Sequence, residues 1–138
     1  MAKTSGLGAT ISVADSGGTP RTISNDVTDF TIATPVALQN ITGVDKSAIE
    51  RLALLRDYKL GLKGVVNVAA NMSHAVLSTV TSSANTRATS VYPTSSGSSP
   101  VMTANLLFDS YDISRGNDGA LTWQSNGNLA DGAVPTWA

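Results

Sequence analysis

Cysteine is absent from the 138 residues of this chain, and only 14% of them are charged. Without a thiol the chain can form neither a disulfide nor a thiolate metal site, so its stability must come from packing or assembly. Ordinary soluble chains carry about 25% charged residues. The low fraction fits surfaces that become buried in an assembly, because uncharged hydroxyls cost less to desolvate than charges. It fits equally a soluble β domain whose loops are rich in serine and threonine.

Long apolar runs and clustered basic residues are also missing. The segment Met1–Val13 contains no long apolar run, so we expect neither a signal peptide nor a transmembrane helix. The net charge is −1, whereas proteins that wrap nucleic acids need clustered lysine and arginine. These absences argue against a membrane partner and against tight nucleic-acid binding.

Motifs that carry catalytic chemistry are absent as well. The chain has no nucleophile elbow, no HExxH motif, no P-loop and no dinucleotide fingerprint. His74 is the single histidine, and no carboxylates stand at ligand spacing near it, which favours a structural hydrogen bond over a base or metal ligand. Asp109 and Asp112 are three residues apart on a predicted strand, so we expect them on opposite faces rather than as a catalytic pair. The sequence therefore predicts no enzyme, no metal site and no cofactor.

The segment Val44–Tyr58 is predicted as the main helix. Ser47 and Glu50 fit a capping box, and Asp45 is a competing N-cap. Helical spacing places four apolar residues on one stripe: Ala48, Ile49, Leu52 and Leu55. Because a helix this short is marginal alone, we expect these four residues to pack in the core.

Strand patterns occupy most of the remaining chain. Strands are predicted at Leu7–Val13, Arg21–Thr34 (with a bulge or bend), Val36–Thr42, Lys59–Val68 and Arg87–Tyr92. The strongest β signal is a hairpin of Met102–Ser114 and Ala120–Ser125 joined by the turn RGNDG. A second, shorter helix is a candidate at Ala69–Val80.

This element order predicts the fold class. About six or seven strands with one flanking α-helix indicate a mainly β protein, built as a β-sandwich or open barrel. We expect a single domain over residues 1–138 with extended termini. The Ser/Thr-rich segment Thr94–Pro100 is expected to be a flexible loop that contacts neighbouring chains.

Charge is distributed unevenly along the chain. The segment Asp45–Lys63 holds five basic and three acidic residues, and Val101–Ala138 holds four acidic residues and one arginine. Two ordinary solvated faces would explain this. A basic region of one copy that meets an acidic region of the next would also explain it, and such head-to-tail contacts generate rings or filaments. On the second interpretation the subunit interface includes Arg51, Arg56, Lys59, Asp109, Asp112 and Trp137.

Four stretches follow one another in a characteristic order. They are ISNDVTDFTIATP (Ile23–Pro35), ITGVDKSAIERLALLRDYKLGLKGVVN (Ile41–Asn67), SHAVLSTV (Ser73–Val80) and the late hairpin LLFDSYDISRGNDGALTWQSNGNLADGAVPTW (Leu106–Trp137). The order of these stretches and their amino-acid sequences resemble the major tail tube protein of long-tailed bacteriophages. The resemblance implies a β-sandwich or barrel with a flanking helix. It also implies hexameric rings that stack into a hollow tube, through which DNA passes on ejection without specific binding.

The same resemblance implies partners and a location. The partners would be further copies of the chain, a tape measure protein, and tail terminator or tip proteins. The location would be the virion tail, after assembly in the host cytoplasm. The alternative function is a capsid or tail decoration protein, or an adhesin-like β module, which would use its Ser/Thr loops for surface or glycan contacts.

Overall fold

The computed structural model describes residues 5–94 and 100–138. Within this part the chain forms nine strands and one short α-helix, which confirms the mainly β prediction. The strands are β1 (Thr10–Ala14), β2 (Pro20–Thr22), β3 (Val27–Ala33), β4 (Val36–Asn40), β5 (Arg51–Arg56), β6 (Lys59–Val65), β7 (Arg87–Tyr92), β8 (Met102–Arg115) and β9 (Leu121–Leu129). The helix is α1 (Ser73–Leu77), and single 3-10 turns occupy Ser24–Asp26 and Ser78–Thr81.

Seven strands form one antiparallel sheet in the order β2-β1-β7-β8-β9-β6-β3, while β4 and β5 pair only with each other. Strands near both ends of the sheet contribute to one core: Ile11 and Val13 from β1 share it with Leu60 and Leu62 from β6. The sheet therefore curls around its core, as expected for a sandwich or open barrel. Trp123 from β9 lies in the middle and donates its indole N–H to the Val65 carbonyl at 3.0 Å.

The helix α1 closes the core and is fixed from a distance in sequence. Asp26 is buried and accepts hydrogen bonds from the Ser73 backbone N–H (3.1 Å) and from Asn67 Nδ2 (2.9 Å). A carboxylate at this position accepts a hydrogen bond from a backbone N–H that has no partner within the helix. Its negative charge also interacts favourably with the positive end of the helix dipole. The candidate helix at Ala69–Val80 is thus confirmed in a shorter form, continued by a 3-10 turn.

Arg87 on β7 ties the same helix to the sheet. Its buried guanidinium donates to the carbonyls of Ala14 (3.2 Å) and Val76 (2.9 Å) and to Thr79 Oγ1 (2.9 Å). Burial lowers the pKa of Arg87 from its ordinary value, because the charged form loses hydration.

The predicted main helix at Val44–Tyr58 is wrong. Residues 41–50 form a connection, Arg51–Arg56 is strand β5, and Tyr58 enters the core just before β6. The four residues assigned to the helix core are all exposed instead: Ala48, Ile49 (60%), Leu52 (48%) and Leu55 (86%). The pattern RLALLR places apolar residues at helical and at strand spacing alike, and pairing with the adjacent β4 decides between them.

The residues chosen for the capping box have another role. The Glu50 N–H donates to Thr42 Oγ1 at 2.8 Å, and the Glu50 carbonyl accepts from the Ile41 N–H at 3.0 Å. Glu50 therefore closes the connection between β4 and β5 rather than beginning a helix. The bend predicted between Arg21 and Thr34 is confirmed as the 3-10 turn followed by a register shift at Val27 and Asp29.

Two predictions fall partly outside the described residues. The flexible loop Thr94–Pro100 is described only at its two end residues, and Met1–Thr4 of the extended N-terminus lies outside as well.

Candidate assembly surfaces

The strands β4 and β5 with their connection, residues 36–56, form a two-stranded ribbon that we call the arm. Every residue of both strands is exposed. Eight of the exposed large apolar residues lie in the arm: Val36, Leu38, Ile41, Val44, Ile49, Leu52, Leu54 and Leu55. Exposed apolar surface of this extent is typical of interaction sites, and an isolated two-stranded hairpin is marginal in water.

The register of the arm assigns its residues to two faces. Leu38 lies opposite Ala53 and Asn40 opposite Arg51, so these residues share one face, which Val36 and its partner Arg56 extend. We call this the charged face. Gln39 lies opposite Leu52, and alternation places Leu54 beside Leu52, on what we call the leucine face. The register shift between Val36 and Leu38 places the extra residue in β5.

The two arginines of the arm are not neutralised within their own chain. Neither Arg51 nor Arg56 forms an ion pair in residues 5–94 and 100–138, and Arg56 Nη1 donates to the Leu54 carbonyl at 3.1 Å. The arm does contain one exposed ion pair, Lys46 with Glu50 at 3.8 Å. The charged face thus presents two free cations beside exposed Val36 and Leu38.

A second surface is the side of the main sheet turned away from the core, which we call the open face. Its residues alternate with core residues along β3, β6, β9 and β8: Asp29, Thr31, Lys59, Gly61, Lys63, Gln124, Asn126, Asn128, Asp109, Ser110 and Asp112. Five of these residues carry an amide or hydroxyl group, and the five charged residues are three aspartates and two lysines. Gly61 floors a hollow of about 360 Å³ between Asn126 and Thr31. The chemistry of the open face is polar and nearly neutral.

The carboxylates of Asp109 and Asp112 both lie on the open face, so the prediction of opposite faces is wrong. A β-bulge between Phe108 and Ser110 adds one residue to β8 and shifts the alternation. Asn128 Nδ2 donates to Asp109 Oδ2 at 3.2 Å, while Asp112 lies opposite Gln124. The two aspartates are three residues apart on β8, roughly 10 Å along a strand, too far for a shared proton.

His74 in α1 has a structural partner. Its Nδ1 lies 3.0 Å from the Tyr111 hydroxyl, and the Tyr111 ring packs against Trp123 with centroids 6.1 Å apart. Burial raises the pKa of Tyr111. In the described part of the chain, no group of three or more His, Cys, Asp or Glu side chains could hold a metal ion.

The structure separates the six residues predicted for the interface into three places. Arg51 and Arg56 lie on the arm, while Lys59, Asp109 and Asp112 lie on the open face. Trp137 forms an isolated antiparallel bridge with Met102 and remains 48% exposed. The arm as a ribbon was missed by sequence reasoning. The amides at Gln124, Asn126 and Asn128 were missed as well. Because these three residues are spaced two apart, a strand places them on the same face, so the sequence did contain the pattern.

The fold is shared with solved structures. One is a chain in the virion of a native gene transfer agent (GTA) particle, with a TM-score of 0.75, 12% identity, and 99% of each chain covered. The chain has the fold of a GTA particle component. A second is a chain in the tail of an empty GTA particle with C6 symmetry, with a TM-score of 0.72, 14% identity, and 94% of each chain covered.

No family model matches the chain, and no curated protein matches its sequence. The likeness is therefore one of fold, and it confirms the sandwich or barrel class expected from the tail tube resemblance. No helix among the described residues is long and apolar enough to cross a membrane.

Proposed function

We propose that this chain is a structural subunit of a phage-like tail tube, in which six-fold rings stack and their lumen conducts DNA during ejection. The exposed arm is the observation that carries the proposal. A compact monomer with a well-filled core rarely exposes eight apolar side chains on one ribbon, because their exposure to water is unfavourable. A subunit that assembles would bury these side chains against its neighbours. The C6 tail that contains a chain of the same fold supports the same conclusion.

The ends of the main sheet suit a ring. β2 and β3 each leave one edge unpaired in the described structure, and they lie at opposite ends of the strand order. Different surfaces at opposite ends favour head-to-tail contacts, which close into rings when the rotation allows. A neighbouring copy would also protect the free edge of β3 from unspecific pairing.

We assign the open face to the wall of the channel. It carries three aspartates against two lysines, and its remaining polar groups are uncharged amides and hydroxyls. Tight DNA binding needs clustered cations, so a wall of this kind lets DNA slide. Lys59, Asp109 and Asp112 then belong to the channel, while Arg51, Arg56 and Trp137 remain interface residues in the proposal.

This role needs no catalytic group and no cofactor. The partners are further copies of the chain, a tape measure protein, and terminator or tip proteins at the tube ends. The place of action is the virion, after assembly in the host cytoplasm.

Assembly of the purified full chain tests the proposal. We expect negative-stain microscopy at rising protein concentration to show rings and tubes, and light scattering to show a hexamer. Immunogold labelling in particles should mark the tail along its length. Sparse label on the outside of the head, with a strictly monomeric purified chain, would instead support a decoration protein.

A charge reversal addresses the interface. Arg56→Glu should leave the monomer folded, because the guanidinium bonds only the nearby Leu54 carbonyl, and should impair tube formation. Arg56→Lys, which keeps the charge, is the matched control. Normal tubes from the Arg56→Glu variant would remove Arg56 from the interface.

The channel wall has its own test. Gln124→Lys with Asn126→Lys adds cations to the open face, so assembled tubes should retain DNA in a salt-dependent manner. Ala84→Lys with Thr86→Lys, two exposed positions in the connection before β7, is the control. Equal DNA retention by both variants would contradict the assignment of the open face.

A further inference from the structure

The turn end of the β8–β9 hairpin carries an apolar patch on the core side of the sheet. Ile113 lies opposite Trp123, and Leu121 stands two residues before Trp123, so both side chains lie on the side of the buried indole. They nevertheless remain 45% and 42% exposed. The Val66 N–H donates to the Leu121 carbonyl at 3.3 Å, which brings the exposed Val68 to the same end of the sheet. We call Ile113, Leu121 and Val68 the tip patch.

The opposite end of β8 carries residues 130–138, which we call the return segment because it comes back to the start of that strand. Trp137 bridges Met102, and the backbones of Val101 and Ala138 exchange hydrogen bonds of 3.0 and 2.9 Å. Trp137 is nevertheless 48% exposed. Tryptophan is enriched among the residues that contribute most to binding at interfaces, so a half-exposed indole held by a backbone bridge is suited to anchor a partner.

The two ends of β8 also carry complementary charges. Arg115 ends β8 beside the tip patch, whereas Asp131 lies in the return segment, and neither forms an ion pair within the described residues. Asp131 accepts hydrogen bonds from Asn105 Nδ2 and from the Ala133 N–H, both at 3.0 Å, which hold its exposed carboxylate in place. The carboxylate of the hairpin turn, Asp118, accepts a hydrogen bond from a neighbouring backbone N–H. Opposite charges at the two ends would fix the direction in which copies meet.

The two ends of β8 are the sides of the sheet that the proposed ring leaves free. In the proposed tube the open face lines the channel, and the edges at β2 and β3 meet neighbours within a ring. The tip patch and the return segment lie at opposite ends of a strand of 14 residues, so one copy cannot join its own two ends. Different surfaces at opposite ends make head-to-tail contacts, which can repeat along an axis.

We propose that the tip patch of one copy receives the return segment of a copy in the next ring, with Trp137 packed on the patch and Arg115 paired with Asp131. The inference rests on the proposed tube function and names the two surfaces through which rings stack. A second copy is the partner that these surfaces fit, because one end offers apolar side chains and a cation, and the other offers an exposed indole and a carboxylate.

An exchange of charges between two variants tests the contact. Arg115→Asp and Asp131→Arg each place like charges at every junction between rings, so each variant alone should stop at isolated rings. Each should lose tube yield by about tenfold or more, the factor that corresponds to about 1.4 kcal/mol. When rings of the two variants are mixed, they should alternate and restore tubes, because every junction then joins opposite charges. Arg115→Lys keeps the charge and is the matched control, with normal tubes expected.

A second pair of variants tests the apolar part of the contact. Leu121 and Leu107 are both 42% exposed, but Leu107 lies between the two ends of β8. Leu121→Thr should therefore stop at isolated rings, whereas Leu107→Thr should form normal tubes. Both replace an exposed side chain with a β-forming polar one, so the thermal unfolding midpoints of the two monomers should agree.

Negative-stain microscopy separates the outcomes. Normal tubes from Arg115→Asp alone, isolated rings that persist after the two charge variants are mixed, or equal tube yields from the two leucine variants would overturn the inference. Mixtures that form only pairs of rings would show tip-to-tip contact and would overturn it as well. A wild-type chain that forms neither rings nor tubes would instead overturn the proposed function itself.

Discussion

The arm and the β8–β9 hairpin are both antiparallel strand pairs with apolar residues at alternating positions, yet they have opposite surroundings. In the β8–β9 hairpin, Phe108 and Trp123 face the core, and amides face outward. In the arm, Leu38 and Leu52 face outward on opposite sides. The comparison teaches that strand chemistry alone does not fix burial. The covering element decides: α1 and the curled sheet cover the hairpin, and nothing in the described part of this chain covers the arm.

The largest expected difference between these regions is in monomer stability. Trp123→Ala removes a buried ring and its hydrogen bond to Val65, so we expect it to lower the free energy of unfolding by about 3–5 kcal/mol. Leu55→Ala removes an 86% exposed side chain of the arm and should change it by less than about 0.5 kcal/mol. Denaturant titration of the monomer measures both. Comparable losses for the two variants would mean that the arm packs on its own domain.

Two glycines of β6 refine the comparison within the sheet. A methyl group at Gly64 would collide with the Asp26 carbonyl oxygen and crowd the Trp123 indole nitrogen, so Gly64→Ala should destabilise the fold by about 1–3 kcal/mol. A methyl group at Gly61 would meet Asn126 Oδ1 at 3.5 Å, an ordinary contact on the open face. Gly61→Ala is therefore the matched control, with an expected change near zero in the same titration. Equal effects would contradict the assignment of the two sides of β6.

The smallest expected effect concerns Tyr58, where the arm returns to the core. Its hydroxyl is buried without a hydrogen-bond partner among the described residues, and burial raises its pKa to about 12. Because the pKa is 10.0 in the unfolded chain, the unfolded chain loses this proton first, so ionisation lowers stability as the pH rises from 10 toward 12 and has no effect well below pH 10.

Tyr58→Phe removes the unpaired hydroxyl, so it should raise stability at neutral pH by about 1 kcal/mol and flatten the decline between pH 10 and 12. Thermal unfolding across pH measures this. Tyr92→Phe at the half-buried end of β7 serves as the control. A variant with the wild-type pH profile would show that other groups cause the alkaline decline.

The sequence alone was sufficient to predict the elements whose apolar side chains are buried within their own chain. The β8–β9 hairpin follows from its alternation and its turn, and the bend before β3 follows from the shifted spacing of SNDVTDF. The arm could not be assigned, because Ala48, Ile49, Leu52 and Leu55 satisfy a helical stripe and the decisive partner is strand β4. The common face of Asp109 and Asp112 depends on a bulge that spacing does not encode. Local pattern is informative where burial is local, and an arm that the described part of its own chain does not cover gives no such signal.

The closed base of the arm also bears on how quickly each chain folds. β3 and β6 are neighbours in the sheet, with Ala33 opposite Lys59, so their pairing must close the intervening stretch of chain. The Asp57 N–H donates to the Pro35 carbonyl at 3.0 Å, which joins the two ends of the arm. Closing a loop costs more entropy as its length grows, and pairings between distant residues slow folding. When the arm pairs outward from its own turn, this long-range pairing becomes a short one, so the arm shortens the conformational search by which its own chain folds.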